Sequence, residues 1–374
     1  MIKIIHTGDV HLDSPFSGLD VKHAEIRKNE LRAAFTAMMS YAKKNAVDII
    51  LIAGDLFDSE YVTRETVALI VREARMCPAE IFIAAGNHDP ISETSVYVKE
   101  GVFPDNVHIF SGEEIEKFSV DSLGVDVYGY SFCSKYLEKN PAEGMKVDDP
   151  ERINILVGHA DSRSPDTPYC PVNEQIVKDF GADYTALAHI HNPTEPRKTG
   201  NAVWAFCGCL EGRDFTELGP KGALLVEIEK EGGVPHVSAK RLRFSKRRYE
   251  RADLSVDGAV SRGEILAKIN SFIDEKGYGD ETLLSLKLTG AVPASLVINT
   301  SDIAREVTGL FYFELSDSTV TEESAEELAA DGTVRGEFFR ELSPLLEDDA
   351  RRAIAEKALK YGLAALSGNN IVDF

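Results

Sequence analysis

The fold is decided in the stretch Ile2-Lys3-Ile4-Ile5-His6-Thr7-Gly8-Asp9-Val10-His11, where a short apolar run passes straight into Gly-Asp-x-His. A run of this length, closed by a glycine turn, reads as a buried strand. The pattern returns twice. Residues 48–53 run into Gly54-Asp55-Leu56-Phe57-Asp58, and residues 81–85 run into Gly86-Asn87-His88-Asp89. Helical spacing fills the gaps, over 22–45 with Leu31, Phe35, Met38 and Met39 on one face, and over 63–76 with Thr63 as N-cap. Strand, helix, strand, helix, strand implies an α/β architecture with a parallel sheet and right-handed crossovers.

Further along the chain, strand patterns dominate at 107–110, 125–130, 153–158, 184–188, 202–206, 222–229 and 236–244, with one helix near 172–180. Two sheets packed face to face with helices outside accommodate this order. Residues 1–250 are expected to form one domain and 251–374 a smaller second one, with helix 261–276, strands 282–289 and 310–316, and two helices within 333–366. Leu342, Leu345, Leu346, Ile354, Leu359 and Leu363 form an apolar set on those last helices, suited to internal burial or to docking. Gly277-Tyr278-Gly279 and the acidic stretch 322–331 read as loops.

Three successive strands thus deliver polar groups at their carboxyl ends: Asp9 and His11, then Asp55, then Asn87 and His88. Sites in open α/β sheets form there. Ile155-Leu156-Val157-Gly158-His159 and Ala186-Leu187-Ala188-His189-Ile190-His191 repeat the device. In extended backbone, i and i+2 point the same way, so Asp9 with His11, and His189 with His191, are expected to face one site. A single histidine at a strand end is usually a satisfied polar residue, and Gly-Asp alone usually marks a turn. It is the recurrence that points to chemistry. Two carboxylates, one carboxamide and four imidazoles, without thiolates, suit manganese, iron or zinc. Seven ligands exceed one tetrahedral ion and fit two divalent ions sharing one carboxylate, an arrangement used for phosphoryl transfer.

The formal net charge of −21 argues against a DNA coat protein and leaves room for a nuclease whose metals supply positive charge locally. Against that trend Lys240, Arg241, Arg243, Lys246, Arg247, Arg248 and Arg251 cluster at the edge of an acidic C-terminal region. Cys77, Cys133, Cys170, Cys207 and Cys209 are odd in number and scattered, which suits a reducing compartment. No apolar run is long enough to cross a membrane. The first residues enter a strand without a signal-peptide pattern, so a cytoplasmic location is expected.

Gly8-Asp9-Val10-His11, Gly54-Asp55-Leu56-Phe57-Asp58, Gly86-Asn87-His88-Asp89, Gly158-His159 and Ala188-His189-Ile190-His191 resemble, in order and spacing, the motifs of calcineurin-like metallophosphoesterases. The resemblance implies a four-layer αββα sandwich with a smaller C-terminal α/β capping domain. Within that superfamily the chain looks like the Mre11/SbcD branch of DNA repair nucleases, nearest the bacterial YhaO-like subgroup. Gly-Asp-Leu-Phe-Asp is typical there, and Phe206-Cys207-Gly208-Cys209 with Glu217…Lys221-Gly222 resembles a segment reading Tyr-Pro-Gly-Ser…Glu…Lys-Gly. Cys207 and Cys209 depart from its proline and serine, and Ala188 stands where glycine is usual. By resemblance, Asp9, His11, Asp55 and His191 would hold one ion, and Asp55, Asn87, His159 and His189 the other. Manganese is the expected metal, with iron or zinc as alternatives. His88 would act on the scissile phosphate without binding metal. Asp58 would cap a helix or support a ligand, Asp89 would orient a neighbour, and His6 would be structural. The branch implies DNA as substrate, an SbcC/Rad50-like ATPase as partner, and homodimerisation as one arrangement. The metal motifs alone equally allow a small-molecule phosphatase or a cyclic-nucleotide phosphodiesterase, and a non-catalytic scaffold is the third reading.

Overall fold

In the computed structural model, which describes residues 1–293 and 296–366, the opening stretch is strand β1 (Ile2–Thr7), followed by α1 (Val21–Lys44), β2 (Ile49–Ala53), α2 (Arg64–Met76), β3 (Glu80–Ala84) and β4 (Val107–Ile109). β1 to β4 are parallel neighbours. Asp20 caps α1 by accepting from Lys22 N and His23 N, and Thr63 caps α2 by accepting from Thr66 N. The chain continues through β5 (Glu116–Val120), β6 (Val125–Gly129), β7 (Ile153–His159), α3 (Glu174–Phe180), β8 (Tyr184–Ala188), β9 (Arg197–Thr199) and β10 (Ala202–Phe206), then the long hairpin β11 (Gly222–Glu231) and β12 (Val234–Arg243).

These strands form two six-stranded sheets, ordered β12-β11-β1-β2-β3-β4 and β5-β6-β7-β8-β10-β9. Alternation along each strand decides what every residue meets. Ile4, Ile49, Leu51 and Phe82 face Val127, Ile155, Val157 and Ala186 in a core between the sheets. Their neighbours Ile5, Ile50, Ile52 and Ile81 face Leu31, Phe35, Met38 and Ile70 on α1 and α2. On the far side, Leu187, Trp204 and Phe206 pack with Val177 of α3, while Leu156 packs with Phe180. The layers are therefore helix, sheet, sheet, helix. Strands buried on both faces explain the apolar runs Ile49–Ala53 of β2 and 81–84 of β3.

The chain divides into two compact units, Met1–Arg248 and Tyr249–Phe374. Strand β13 (Arg248–Ser255) starts on the last residue of the first unit, and the second unit carries the rest of it with α4 (Arg262–Lys276), β14 (Thr282–Thr289), β15 (Ala291–Val292), α5 (Thr300–Glu306), β16 (Tyr312–Asp317), β17 (Val320–Thr321), α6 (Ala325–Ala330), α7 (Val334–Leu346) and α8 (Arg352–Leu366). Its three-stranded sheet runs β13-β14-β16, and Ile265, Ile269 and Ile273 of α4 pack with Leu284, Leu286 and Leu288 of β14. Leu359 and Leu363 are buried with Phe339 and Leu328, and Leu342 and Leu346 pack against them, so most of the predicted apolar set is spent internally. Leu345 is half-buried outside that cluster, and Ile354 is 74% exposed. No described helix is long and apolar enough to cross a membrane.

Candidate metal centre

Where β1 and β2 end, their loops continue side by side. Asp9 N donates to Gly54 O at 3.0 Å, His11 N to Asp55 O at 3.0 Å and Leu12 N to Leu56 O at 2.9 Å. The backbone there is not extended. Asp9, His11 and Asp55 have φ of 44°, 49° and 51°, and His189 has φ of 98°. The alternation predicted from sequence therefore does not bring Asp9 to His11 or His189 to His191; tight left-handed loops do. Non-glycine residues held in this region cost about 1–3 kcal/mol each, a strain that gathers at functional sites. The motif glycines make room for the ligands themselves. A Cβ on Gly54, whose φ is 98°, would run into the His159 ring, and one on Gly86 into the Asp55 carboxylate.

All seven predicted ligands converge here. His11 Nε2 lies 3.3 Å from His191 Nε2, which is 3.7 Å from Asp9 Oδ1. His159 Nε2 lies 3.0 Å from Asn87 Oδ1, and His189 Nδ1 lies 3.2 Å from both of those atoms. Between the two groups sits Asp55, with Oδ2 at 3.5 Å from His11 Nε2 and 3.5 Å from His159 Nε2. Asp9, His11 and His191, and separately Asp9, Asp55 and His159, have donor atoms close enough to share an ion. His88 is exposed, its ring edge-on to that of His11 at 4.9 Å, its backbone N donating to Asp55 Oδ1 at 2.9 Å.

Three of the four ring nitrogens facing away from the cluster meet a hydrogen-bonding partner, the arrangement that orients metal-binding imidazoles. His159 Nδ1 donates to Ala53 O at 3.1 Å and His191 Nδ1 to Glu217 Oε1 at 2.6 Å. His189 Nε2 lies 3.2 Å from Arg163 Nη2 and 3.5 Å from Asp161 Oδ2. His11 Nδ1 faces Asp58 Oδ1 at 3.3 Å, near enough for a charge pair but without a hydrogen bond. Arg213 links two of these supports, donating to Asp58 Oδ1 at 2.8 Å and to Glu217 Oε1 at 3.1 Å. Lys221 Nζ donates to Asn192 Oδ1 at 2.7 Å, so the Glu…Lys-Gly segment grips His191-Asn192 from two sides. Asp58 meets His11 and caps no helix. Asp89 accepts from Gly86 N at 2.8 Å, Phe57 N at 3.0 Å and Tyr97 Oη at 2.6 Å, which ties the second motif to the third. His6 is fully buried and bridges the sheets through Tyr184 Oη at 2.8 Å.

Glu217, Arg213, Asp161 and Arg163 are not among the site residues that the sequence predicts. Glu217 alone carries a signal, in the segment with Lys221-Gly222; the others follow no motif spacing.

Burial pushes His159 and His189 down to about 3, which keeps their rings neutral and ready to bind a cation. Burial also lifts Asp9 to about 7, with Asp55 adding repulsion that His191 opposes. Two buried carboxylates this close need positive charge between them to stay ionised, and a donor set of neutral imidazoles, carboxylates and a carboxamide fits divalent cations. An open cleft of about 400 Å³ reaches the cluster, lined by Asp55, Asn87, His88, His189, His191 and Tyr169 among others.

A sequence model described as calcineurin-like phosphoesterase matches residues 2–193, which contain every predicted ligand. The chain is 28% identical to the metallophosphoesterase YhaO of Bacillus subtilis strain 168, over 79% of this chain and 74% of that protein. It is 27% identical to the DNA double-strand break repair protein Mre11 of Methanopyrus kandleri, over 63% of this chain and 56% of that one. It is 22% identical to an SbcCD nuclease subunit of Staphylococcus epidermidis, over 61% of this chain and 66% of that one. The match thus spans little more than half of the Mre11 relative and just under two thirds of the SbcCD relative.

Proposed function

The chain belongs to the calcineurin-like phosphoesterase family, and on that premise we propose that it is a metal-dependent phosphodiesterase acting on DNA, an exo- or endonuclease of DNA repair. The observation that carries the two-ion reading is Asp55 Oδ2, equidistant at 3.5 Å from His11 Nε2 and His159 Nε2. Asp9, His11, Asp55 and His191 would hold one ion; Asp55, Asn87, His159 and His189 would hold the other. Manganese is the proposed metal, and the same donors accept iron or zinc. When bound, such a pair supplies an activated water and neutralises the phosphate oxygens.

The chain's own residues do the rest. Glu217, Asp58 and Asp161 fix the ligand rings. His88, exposed above His11 and anchored through its backbone to Asp55, meets the scissile phosphodiester. As the P–O bond breaks, His88 gives a proton to the departing 3′-oxygen, a contribution of roughly 10²–10⁴-fold. DNA as substrate is supported by relatives named as a DNA repair protein and a nuclease. An ATPase of the SbcC or Rad50 kind is the proposed partner, because one relative is named as part of the SbcCD nuclease.

The test is an activity panel with manganese: duplex and single-stranded DNA, bis-p-nitrophenyl phosphate and p-nitrophenyl phosphate. Cleavage of DNA and of the diester, abolished by chelator, is expected. Hydrolysis of the monoester alone would replace the nuclease with a small-molecule phosphatase.

A further inference from the structure

The rings around the cleft do not stop at the metal ligands. Tyr169 lies over His189 with ring centroids 4.9 Å apart and planes 32° from parallel. Tyr136 follows at 5.8 Å from Tyr169, and Lys135 Nζ sits 5.7 Å from the Tyr136 ring centre. The row is held in place by backbone. Leu137 N donates to Pro168 O at 2.9 Å and Cys170 N donates to Leu137 O at 2.6 Å, which fastens the Tyr136 loop to the Tyr169 loop. Ser134 Oγ donates to Tyr136 O at 2.7 Å and shapes the turn. On the His88 side, Tyr61 is 90% exposed. It lines a depression of about 280 Å³ together with Asn87, His88, Lys135 and residues 58–60, so this depression shares two residues with the metal cleft.

A large aromatic side chain left almost wholly in water, beside a half-exposed one fixed by its loop, is poor use of apolar surface unless something stacks on it. Aromatic faces alternating with cations along a groove suit successive bases of an unpaired strand, because every base has a π-face and the cation meets the backbone. With a net charge of −21, release of counterions from phosphate contacts is a weak source of affinity for this chain. Stacking is not.

We propose that the rim of the cleft is a stacking platform for an unpaired nucleic-acid strand, with Tyr61 on the His88 side, Tyr169 and Tyr136 on the His189 side, and Lys135 between them. This rests on the nuclease reading and narrows it to substrates whose bases are unpaired at the scissile phosphate. Tyr61 and Tyr136 are specificity-determining residues, and neither is a metal ligand.

The experiment compares the full chain with its Tyr61→Ala, Tyr136→Ala and Tyr136→Phe variants in manganese. Substrates are a single-stranded oligonucleotide, its blunt duplex and bis-p-nitrophenyl phosphate. For each alanine variant, kcat/KM on the single strand should fall about tenfold relative to kcat/KM on the small diester measured with the same variant. The fall should lie mainly in KM. Phenylalanine, which keeps the ring, should restore it. The unvaried chain should prefer the single strand to the blunt duplex, with a shallow salt dependence. Equal losses on both substrates, or none on the single strand, overturn the platform while leaving the nuclease reading intact. A chain that hydrolyses the small diester and cleaves no DNA removes the nuclease reading, and the platform with it.

Discussion

A Cβ placed on Gly8 would overlap the Cβ of Ala188, so the first and last metal-binding loops meet across the sandwich at these two residues. Alanine at 188, in place of the usual glycine, is tolerated because position 8 has no side chain. Gly8→Ala should therefore destabilise the protein by about 1–3 kcal/mol, the usual cost of overpacking. The double variant Gly8→Ala/Ala188→Gly should recover most of it, a coupling that urea unfolding of the four proteins measures. Simple addition of the two single effects would show that the methyls do not compete. At the metal centre, His88→Gln should keep two ions per chain and lose turnover by about 10²–10⁴-fold, whereas Asp55→Ala should lose both ions. Metal analysis of the purified variants separates these roles, and a depleted His88→Gln protein would contradict them. The residue types of the cluster are legible in the sequence because imidazole and carboxylate at strand ends have few other uses in such numbers. Of the supports only Asp58 and Glu217 carry a signal; Arg213 carries none, since it reaches Asp58 across 155 residues of chain and no local spacing encodes that.

Among the elements, α1 and the segment after β12 show why a charge pattern in sequence misleads. Such a basic run reads as an exposed surface, either a solvated strand edge or a contact for a DNA backbone, and Arg247 belongs to it. Instead it is buried, donating through Nη2 to Glu30 Oε1 at 2.6 Å. Arg27, fully buried on α1, donates to Glu30 Oε2 at 2.7 Å and to Glu211 Oε1 at 2.6 Å. The cluster seats the stretch that leads from Glu211 to Arg213 and Glu217. Removing one partner from such a network typically costs about 3–5 kcal/mol, because the remaining charges stay buried. Arg27→Met and Arg247→Glu should each lower stability on that scale in chemical denaturation, and a near-neutral Arg27→Met would mean that the network relaxes. The surface test of DNA binding belongs to Lys240 and Arg241 on β12, which are exposed. Their reversal to Glu should raise KM for DNA and flatten its salt dependence, by about 0.7 in logarithmic slope on a single strand, or about 0.9 on a duplex, for each phosphate no longer neutralised. An unchanged slope takes this strand off the DNA path. Helix boundaries are legible wherever a cap and a 3.6-residue period coincide, as at Thr63 and α2. Helix α6 reads in sequence as an acidic loop, although Ser324 and Glu327 form a capping box there. Six residues offer too short a period to outweigh a run of glutamates.

For the whole molecule, the separation into Met1–Arg248 and Tyr249–Phe374 assigns chemistry and accessory surface to different stretches of chain. Every proposed ligand, every support and all three rim tyrosines lie before Arg248, and the ion pairs that hold the Glu211–Glu217 stretch close within the same unit. Among the described residues, the clusters built on β1 to β12 end at Phe244, and the α4–β14 cluster begins at Ala252. The order of elements makes the first unit legible from sequence. The second offers no chemical motif, and β13, at the division, carries no strand signal strong enough to read because Tyr249, Ala252 and Leu254 do not keep a two-residue period among its charges. A chain truncated after Arg248 should therefore retain its metals and hydrolyse bis-p-nitrophenyl phosphate, because that substrate needs only the metal cluster and His88. Its unfolding should remain cooperative, since the inter-sheet core is intact. A partner ATPase, by contrast, should bind the full chain and lose affinity for the truncated one if the second unit, with Ile354 exposed on α8, is its docking surface. A truncated chain that folds and binds two ions but hydrolyses no diester would place part of the catalytic machinery after Tyr249.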